Sequence, residues 1–213
     1  MKFEYKHKIG FWLGIIVIVT LVIALFSSIM KSSRSGETTI SFLRGTFSID
    51  YRDLNAVVGD ADYVFVGTIV SKDGTVYKDA VTVENSDGKI REVSSPYTNY
   101  TVDVVENIKG NLITDTAIPI QKSGGFSQDG SQCFIYEGDE LPIVGNTYIF
   151  FAYAQPDGSL LVSGPVSNIS TSIDTNDIMS VSDTPIEYSE VIEAYNNQID
   201  SGRTRFISSY EAE

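Results

Sequence analysis

Asp-Gly occurs four times, at Asp73-Gly74, Asp87-Gly88, Asp129-Gly130 and Asp157-Gly158, each time between runs of β-branched and aromatic residues. Glycine supplies the positive φ that a tight hairpin needs, and aspartate tolerates the neighbouring turn position. Pro156 adds a preset φ before the last pair. A chain punctuated in this way is committed to short strands that fold back on one another. Tyr63, Phe65, Gly67 and Ile69 alternate with Val64, Val66, Thr68 and Val70, and both sets are largely apolar, which predicts a central strand covered on both faces. Tyr100, Val102 and Val104 alternate with Thr101 and Asp103. Ile118 and Ile120 flank Pro119, whose missing N–H predicts an edge strand. Cys133–Tyr136, Tyr148–Tyr153 and Leu160–Val162 complete the strand-like runs. Seven or so strands with no long helix between them imply a mainly β fold, a small antiparallel barrel or sandwich.

Two helical stretches flank these runs. In Ser48–Gly59, Tyr51, Leu54 and Val57 recur at helical spacing, with Ser48 as a cap and Gly59 as a stop. Near the other end, Thr184, Pro185 and Glu187 have the spacing of a capping box, Ile186, Val191, Tyr195 and Ile199 sample a loose stripe, and Gly202 ends it. The β domain is expected over 48–170, with a linker and helix over 171–213.

Ile9 to Met30 holds 22 residues and no charged side chain. As a helix it spans roughly 33 Å, enough for the hydrocarbon layer of a bilayer. Its β-branched core is no obstacle there, because in lipid the backbone must satisfy its own hydrogen bonds. Trp12 sits where an interfacial aromatic belt would lie. A cleaved signal peptide is the competing reading; Ser27-Ser28-Ile29-Met30 before Lys31 offers no small-x-small cleavage site. The expected organisation is a cytoplasmic tail over 1–8, a single-pass signal anchor over 9–30 and a tether over 31–47. Gly10 and Gly14 form a G-x-x-x-G pair at one end of the span, a spacing that lets helices approach closely.

Basic residues are nearly balanced across the span, with Lys2, Lys6 and Lys8 before it and Lys31, Arg34 and Arg44 after it. The compact cluster places the N-terminus inside. The chain carries −13 overall, with 15 Lys+Arg against 28 Asp+Glu. Only three basic residues and one acidic residue precede the span, so the head beyond it is more acidic still. Its acidity and its Tyr, Ser, Thr and Asn content suit an extracytoplasmic location. The acidity argues against a nucleic-acid partner.

The sole histidine, His7, precedes the span, so His-assisted nucleophiles and His metal ligands are missing from the head. The sole cysteine, Cys133, reads as a small buried hydrophobe. Ser86-Asp87-Gly88-Lys89 matches S-x-x-K, but its Asp-Gly turn places it on a solvated loop. Gly125-Phe126-Ser127-Gln128-Asp129 begins like a nucleophile elbow without its closing glycine, and Gly124-Gly125 reads as a mobile loop. Glu137, Asp139 and Glu140 cluster, as do Asp174, Asn176 and Asp177, without the alternating oxygen ligands of a calcium loop; both read as solvated acidic turns. No cofactor is implied.

Three strings occur in order: Ala61-Asp62-Tyr63-Val64-Phe65-Val66-Gly67, Val105-Glu106-Asn107-Ile108-Lys109-Gly110 and Gly145-Asn146-Thr147-Tyr148-Ile149-Phe150-Phe151. Together they resemble uncharacterised surface proteins of Gram-positive bacteria. The resemblance runs over roughly residues 50–168 and implies an OB-type barrel similar to the netrin/tissue-inhibitor-of-metalloproteinase module. Tissue inhibitors chelate zinc with an N-terminal cysteine and are disulfide-bonded. This chain has neither feature, so that activity and its site residues do not carry over.

The functional expectation is a membrane-anchored, extracytoplasmic binding module without catalytic activity, for a protein or glycan ligand. The candidate binding loop is Gly124, Gly125, Phe126, Gln128 and Asp129, with Glu137, Asp139 and Glu140 following it. The alternatives are a hydrolase or carbohydrate-active enzyme using Asp129, Glu137, Asp139 and Glu140, for which two carboxyls would face each other, and an accessory subunit of a membrane complex.

Overall fold

The computed structural model describes residues 38–84, 87–88, 90–171 and 186–213. The Ile9–Met30 run, Ser86 and Lys89, the Asp174–Asp177 cluster, and Thr184 and Pro185 lie outside the described residues. Among the described residues no helix is long and apolar enough to cross a membrane. The elements are β1 (Thr39–Leu43), α1 (Leu54–Asp60), β2 (Tyr63–Glu84), β3 (Ile90–Lys109), β4 (Ile118–Ser123), β5 (Gly125–Phe126), β6 (Gln132–Tyr136), β7 (Thr147–Ala154), β8 (Leu160–Val162), β9 (Asn168–Ser170) and α2 (Tyr188–Asn196).

The protein is mainly β. Five strands pair in the order β2-β3-β4-β8-β7, and β7 pairs back onto β2, closing a ring. Four of the five pairings are antiparallel; β4 and β8 run parallel, against the expectation of a wholly antiparallel sheet. After β4 the chain detours through β5 and β6, and the β7–β8 hairpin then delivers β8 beside β4 in the same direction. A small second sheet has the order β1-β6-β5, with β1 parallel to β6.

Alternation along β2 and β7 divides the core in two. Tyr63, Phe65 and Ile69 point into the ring, where they join Tyr100, Val102, Ile118, Ile120, Tyr148, Phe150, Leu160 and Val162. Phe65 and Phe150 stack with centroids 5.3 Å apart. Val64 and Val66 point outward and pack with Ile149, Phe151 and Ile108 under Val57 and Val58 of α1 and Val191 and Ala194 of α2. The first residues of β2 are therefore covered on both faces, as the double apolar alternation requires. Each fully buried side chain of this size contributes about 1.5–3 kcal/mol.

Several local expectations are corrected. Asp73-Gly74 makes no turn. It lies inside β2, with φ 109° at Gly74 and a register shift between Lys72 and Gly74, so it is a bulge in a 22-residue strand. The other three Asp-Gly pairs do join strands. Pro119 does not mark an edge, because β4 lies between β3 and β8. The β8 ladder reaches only Gln121 and Lys122, so the missing N–H falls where β8 has no partner to lose. Thr39–Leu43, expected within a tether, is strand β1, its register running from Thr39 opposite Gln132 to Leu43 opposite Tyr136.

Helix α1 starts at Leu54, not near Ser48, because the Asp53 carboxylate caps it by accepting from the Asn55 N–H at 3.0 Å. Gly59 lies inside α1 and does not stop it. A Cβ there would sit 1.9 Å from the Ile199 carbonyl oxygen, so glycine is needed for a close approach. Helix α2 starts at Tyr188, and the Glu190 carboxylate accepts from the Glu187 N–H at 2.8 Å; the helix ends at Asn196, before Gly202.

The residues after α2 form a strap. Ile199 N–H donates to the Asn55 carbonyl at 3.0 Å. The Arg205 guanidinium donates to the carbonyls of Gly59 (2.6 Å), Asp60 (3.0 Å) and Ala61 (3.0 Å), and the Lys109 ammonium to those of Val58 (2.7 Å) and Gly59 (3.1 Å). Cations thus meet the carbonyls that a helix end leaves unpaired. Burial, then Arg205, holds the Lys109 ammonium down at about 8. Farther along, the Tyr63 hydroxyl accepts from Ser208 N–H at 2.9 Å and donates to the Glu211 carboxylate. Burial, then Glu211, pushes that phenol up to about 12. Ile113 N–H reaches the Tyr210 carbonyl at 2.9 Å, and Ala212 N–H the Asn111 carbonyl at 2.7 Å.

Candidate functional site

The ring has one outer face roofed by α1 and α2. On the β3-β4-β8 side lies a cleft of about 370 Å³ lined by Lys78, Tyr97, Gln121, Gln155, Asp157 and Ser159, with Pro156, Leu160 and Leu161 completing it. Four elements build it: the projecting β2–β3 hairpin supplies Lys78 and Tyr97, β4 supplies Gln121, the β7–β8 turn supplies Gln155–Ser159, and β8 supplies its leucines. Gln121 faces outward because Ile118, Ile120 and Lys122 take the opposite, buried side of β4.

The polar groups of the cleft are held in place. The Lys78 ammonium donates to the Gln121 side-chain carbonyl and sits 4.9 Å from the Tyr97 ring centroid. The Gln121 amide donates to Asn99 Oδ1 at 2.8 Å. In the turn, the Asp157 carboxylate accepts from Ser159 N–H (3.0 Å) and from the Ser159 hydroxyl (2.7 Å), which hold it below the ordinary aspartate range. Burial, then the Asp79 charge, raises the Tyr97 phenol. The cleft therefore offers an aromatic ring, two primary amides, a hydroxyl and one charge of each sign. Such groups bind by stacking and hydrogen bonding.

The candidate loop divides into three. Gly124 and Gly125 are buried, not mobile: Gly124 N–H donates to the Pro96 carbonyl at 3.0 Å and its carbonyl accepts from the Thr98 hydroxyl at 2.8 Å. A Cβ on Gly124 or Gly125 would lie 2.7 Å from the Phe134 carbonyl oxygen or 2.6 Å from Thr98 Oγ1, so the pair is a tight corner between the barrel and the small sheet. Gln128 and Asp129 are exposed in the β5–β6 turn, where the Ser127 hydroxyl (2.6 Å) and the Ser131 N–H and hydroxyl hold Asp129 at about 2. Phe126 and Glu140 come together as walls of a smaller pocket with Ile135 and Leu141.

Asp139 is not in a solvated turn. It is buried against the ammonium of Lys122, itself fully buried, and its other oxygen accepts from the Ser167 hydroxyl at 3.1 Å. Lys122 also donates to that hydroxyl at 2.9 Å. Burial raises the Asp139 carboxyl, against the opposing pull of Lys122 and Ser167. Glu137 is exposed. Asp129 and Asp139 lie beyond opposite ends of β6, so the structure does not bring these two candidate acids together. Among the described residues no group of three or more His, Cys, Asp or Glu side chains is placed to hold a metal ion. Cys133 is free and buried, and burial pushes its thiol up.

Sequence reasoning missed Lys78, Gln121, Gln155, Lys122 and Ser167. For Lys122 a signal existed: it follows Ile118 and Ile120 at period two, on the apolar side of a strand. The cleft left none, because its residues come from separate segments. No protein-family model matches the chain, and none of the curated proteins matches it in sequence.

Proposed function

We propose that the protein is a single-pass, membrane-anchored module that acts outside the cytoplasm by binding, not by catalysis, and that its ligand is a neutral glycan seated in the Tyr97–Gln121 cleft. The ring order and its one parallel pair support an OB-type barrel. Such barrels bind oligonucleotides or oligosaccharides on the face of their second and third strands and on the flanking loops. The corresponding elements here are β3, β4, the β2–β3 hairpin and the β7–β8 turn. The observation that carries the reading is that these same elements meet in one cleft lined by a tyrosine ring and glutamine amides. Charge chooses between the two ligand classes. A chain of −13 repels a phosphate backbone, whereas a sugar needs hydroxyl partners and a ring to stack on. The uncharged Ile9–Met30 run supports the anchor.

Titration calorimetry of the full chain in lipid nanodiscs against neutral oligosaccharides tests the ligand. Binding should weaken at least tenfold in Tyr97→Ala and in Gln121→Ala, with unfolding midpoints little changed; equal binding by both variants rejects the cleft. Protease treatment of intact cells should remove the head. Full protection, or a full-length product freely soluble without detergent, rejects the anchored, external placement.

A further inference from the structure

We infer that Lys122 and Asp139 become covalently joined: the folded chain condenses the lysine Nζ with the aspartate carboxyl into an amide, one water leaves, and the Ser167 hydroxyl relays the proton. The two groups are already in contact, and both side chains are wholly out of water. Ser167, also buried, bridges them. Its hydroxyl accepts from Lys122 Nζ at 2.9 Å and donates to Asp139 Oδ1 at 3.1 Å. The triangle therefore holds an amine, a carboxyl and a proton carrier, the full set of groups that forming an amide requires. No molecule from outside has to reach the site, so burial does not obstruct it. The pair as it stands in the structure is the unreacted state.

In water an amine and a carboxylic acid stay apart, because both of their ions are well hydrated. Here that hydration is gone, and an amide replaces two buried charges by one neutral group. Fixed partners also avoid the entropy of encounter; well-oriented intramolecular reactants reach effective molarities on the order of 10⁵–10⁸ M. Burial raises the Asp139 carboxyl, which favours a proton on it. That proton passes from the ammonium to Oδ2, leaving a neutral amine and a neutral acid. The Nζ lone pair then attacks Cγ. The proton that Nζ sheds moves through the Ser167 hydroxyl to Oδ1, so Cγ bears two hydroxyls and the nitrogen. One hydroxyl departs as water with the proton of the other, and the amide carbonyl forms. Arg203 and Arg205, which pair with Asp62, cannot follow this course: a guanidinium's lone pairs are delocalised, and both side chains are partly exposed. The new bond links β4 to the loop before β7 and draws β5 and β6 into a covalent ring. The single cysteine rules out an intrachain disulfide, and this cross-link constrains the unfolded chain as a disulfide does.

The test uses the full chain, purified in detergent, and follows its intact mass during incubation at neutral pH. The mass should fall by one water molecule and then hold. Asp-Gly pairs also lose water, by closing to succinimides, so the position is read by peptide mapping. Trypsin should stop cutting after Lys122, and cleavage after Glu137 should leave a branched peptide that joins Lys122 to Asp139. Lys122→Arg should keep the two segments separate. The double replacement Lys122→Met with Asp139→Leu, which removes both charges together, should do the same. Ser167→Ala should slow the appearance of the branched peptide about a hundredfold, as loss of a positioned proton carrier predicts, without changing the product. Full sequence mass with a free Lys122 amine after prolonged incubation overturns the inference, and so does a water loss that maps only to Asp-Gly pairs. An unchanged rate in Ser167→Ala overturns the relay.

Discussion

Two buried polar networks fasten this head, and they work in opposite ways. Lys122, Asp139 and Ser167 form a closed triangle of side chains, with both charges fully out of water. It joins β4 to the loop before β7 and to the loop between β8 and β9 through side chains alone. The strap is the reverse: Arg205, Tyr63 and a series of main-chain amides share its attachment, and the Arg205 guanidinium is only partly buried. A closed ion pair is intolerant, because removing one partner strands the other charge in a low dielectric. A distributed attachment loses one bond at a time. The segment between β4 and β7 thus has one costly side-chain anchor beside its main-chain bonds, and the strap has many modest attachments.

The largest effect expected is at the triangle. Lys122→Ala or Asp139→Asn should each lower unfolding free energy by about 3–5 kcal/mol in urea denaturation, whereas the double replacement Lys122→Met with Asp139→Leu should lose far less. Additive single effects would mean the two charges do not depend on each other. Next comes the strap. Gly59→Ala forces a Cβ against the Ile199 carbonyl and should cost about 1–3 kcal/mol. Amide exchange should accelerate at Ile113 and Ala212 but not at Phe150; uniform acceleration would break the distinction between a detachable strap and a cooperative core. Tyr100→Phe should go the other way and stabilise the protein by about 1 kcal/mol, since it deletes an unpaired polar atom.

The smallest effect is in pH. Lys109 is held at about 8, below its ordinary value, so between pH 8 and its unfolded value the unfolded chain binds more protons. Stability should therefore rise modestly as pH increases from 8 to 10, and Lys109→Met should remove that rise. Tyr63, raised to about 12, acts in the opposite sense: its contribution is full below pH 10 and disappears as pH climbs through 12. Thermal unfolding across pH 7–12 measures both, and a flat profile in the parent protein would remove Lys109 from the account.

The strand runs were legible because a half-buried or doubly buried sheet must alternate, and three of the four Asp-Gly turns were legible because their backbone chemistry is local. Gly74 misled, because a bulge and a turn need the same positive φ and only the partner strand tells them apart. Pro119 misled because its position matters relative to β8, about 40 residues away in sequence. The two networks were unreadable for a related reason. Lys122, Asp139 and Ser167 are scattered along the chain, and nothing local says that a lysine on an apolar stripe will find its carboxylate. Of the candidate site, Phe126 and Glu140 stand in one pocket, while Gly124 and Gly125 serve the corner and Asp139 the ion pair.

Tyr63 finds its two strap partners 145 and 148 residues downstream. For a polypeptide made from its N-terminus, Tyr63 must therefore wait for these partners until residues 208–211 have been added. Contacts so distant in sequence slow the search for the native state and leave sheet edges open meanwhile. Completion of the fold is thus timed by the arrival of the strap.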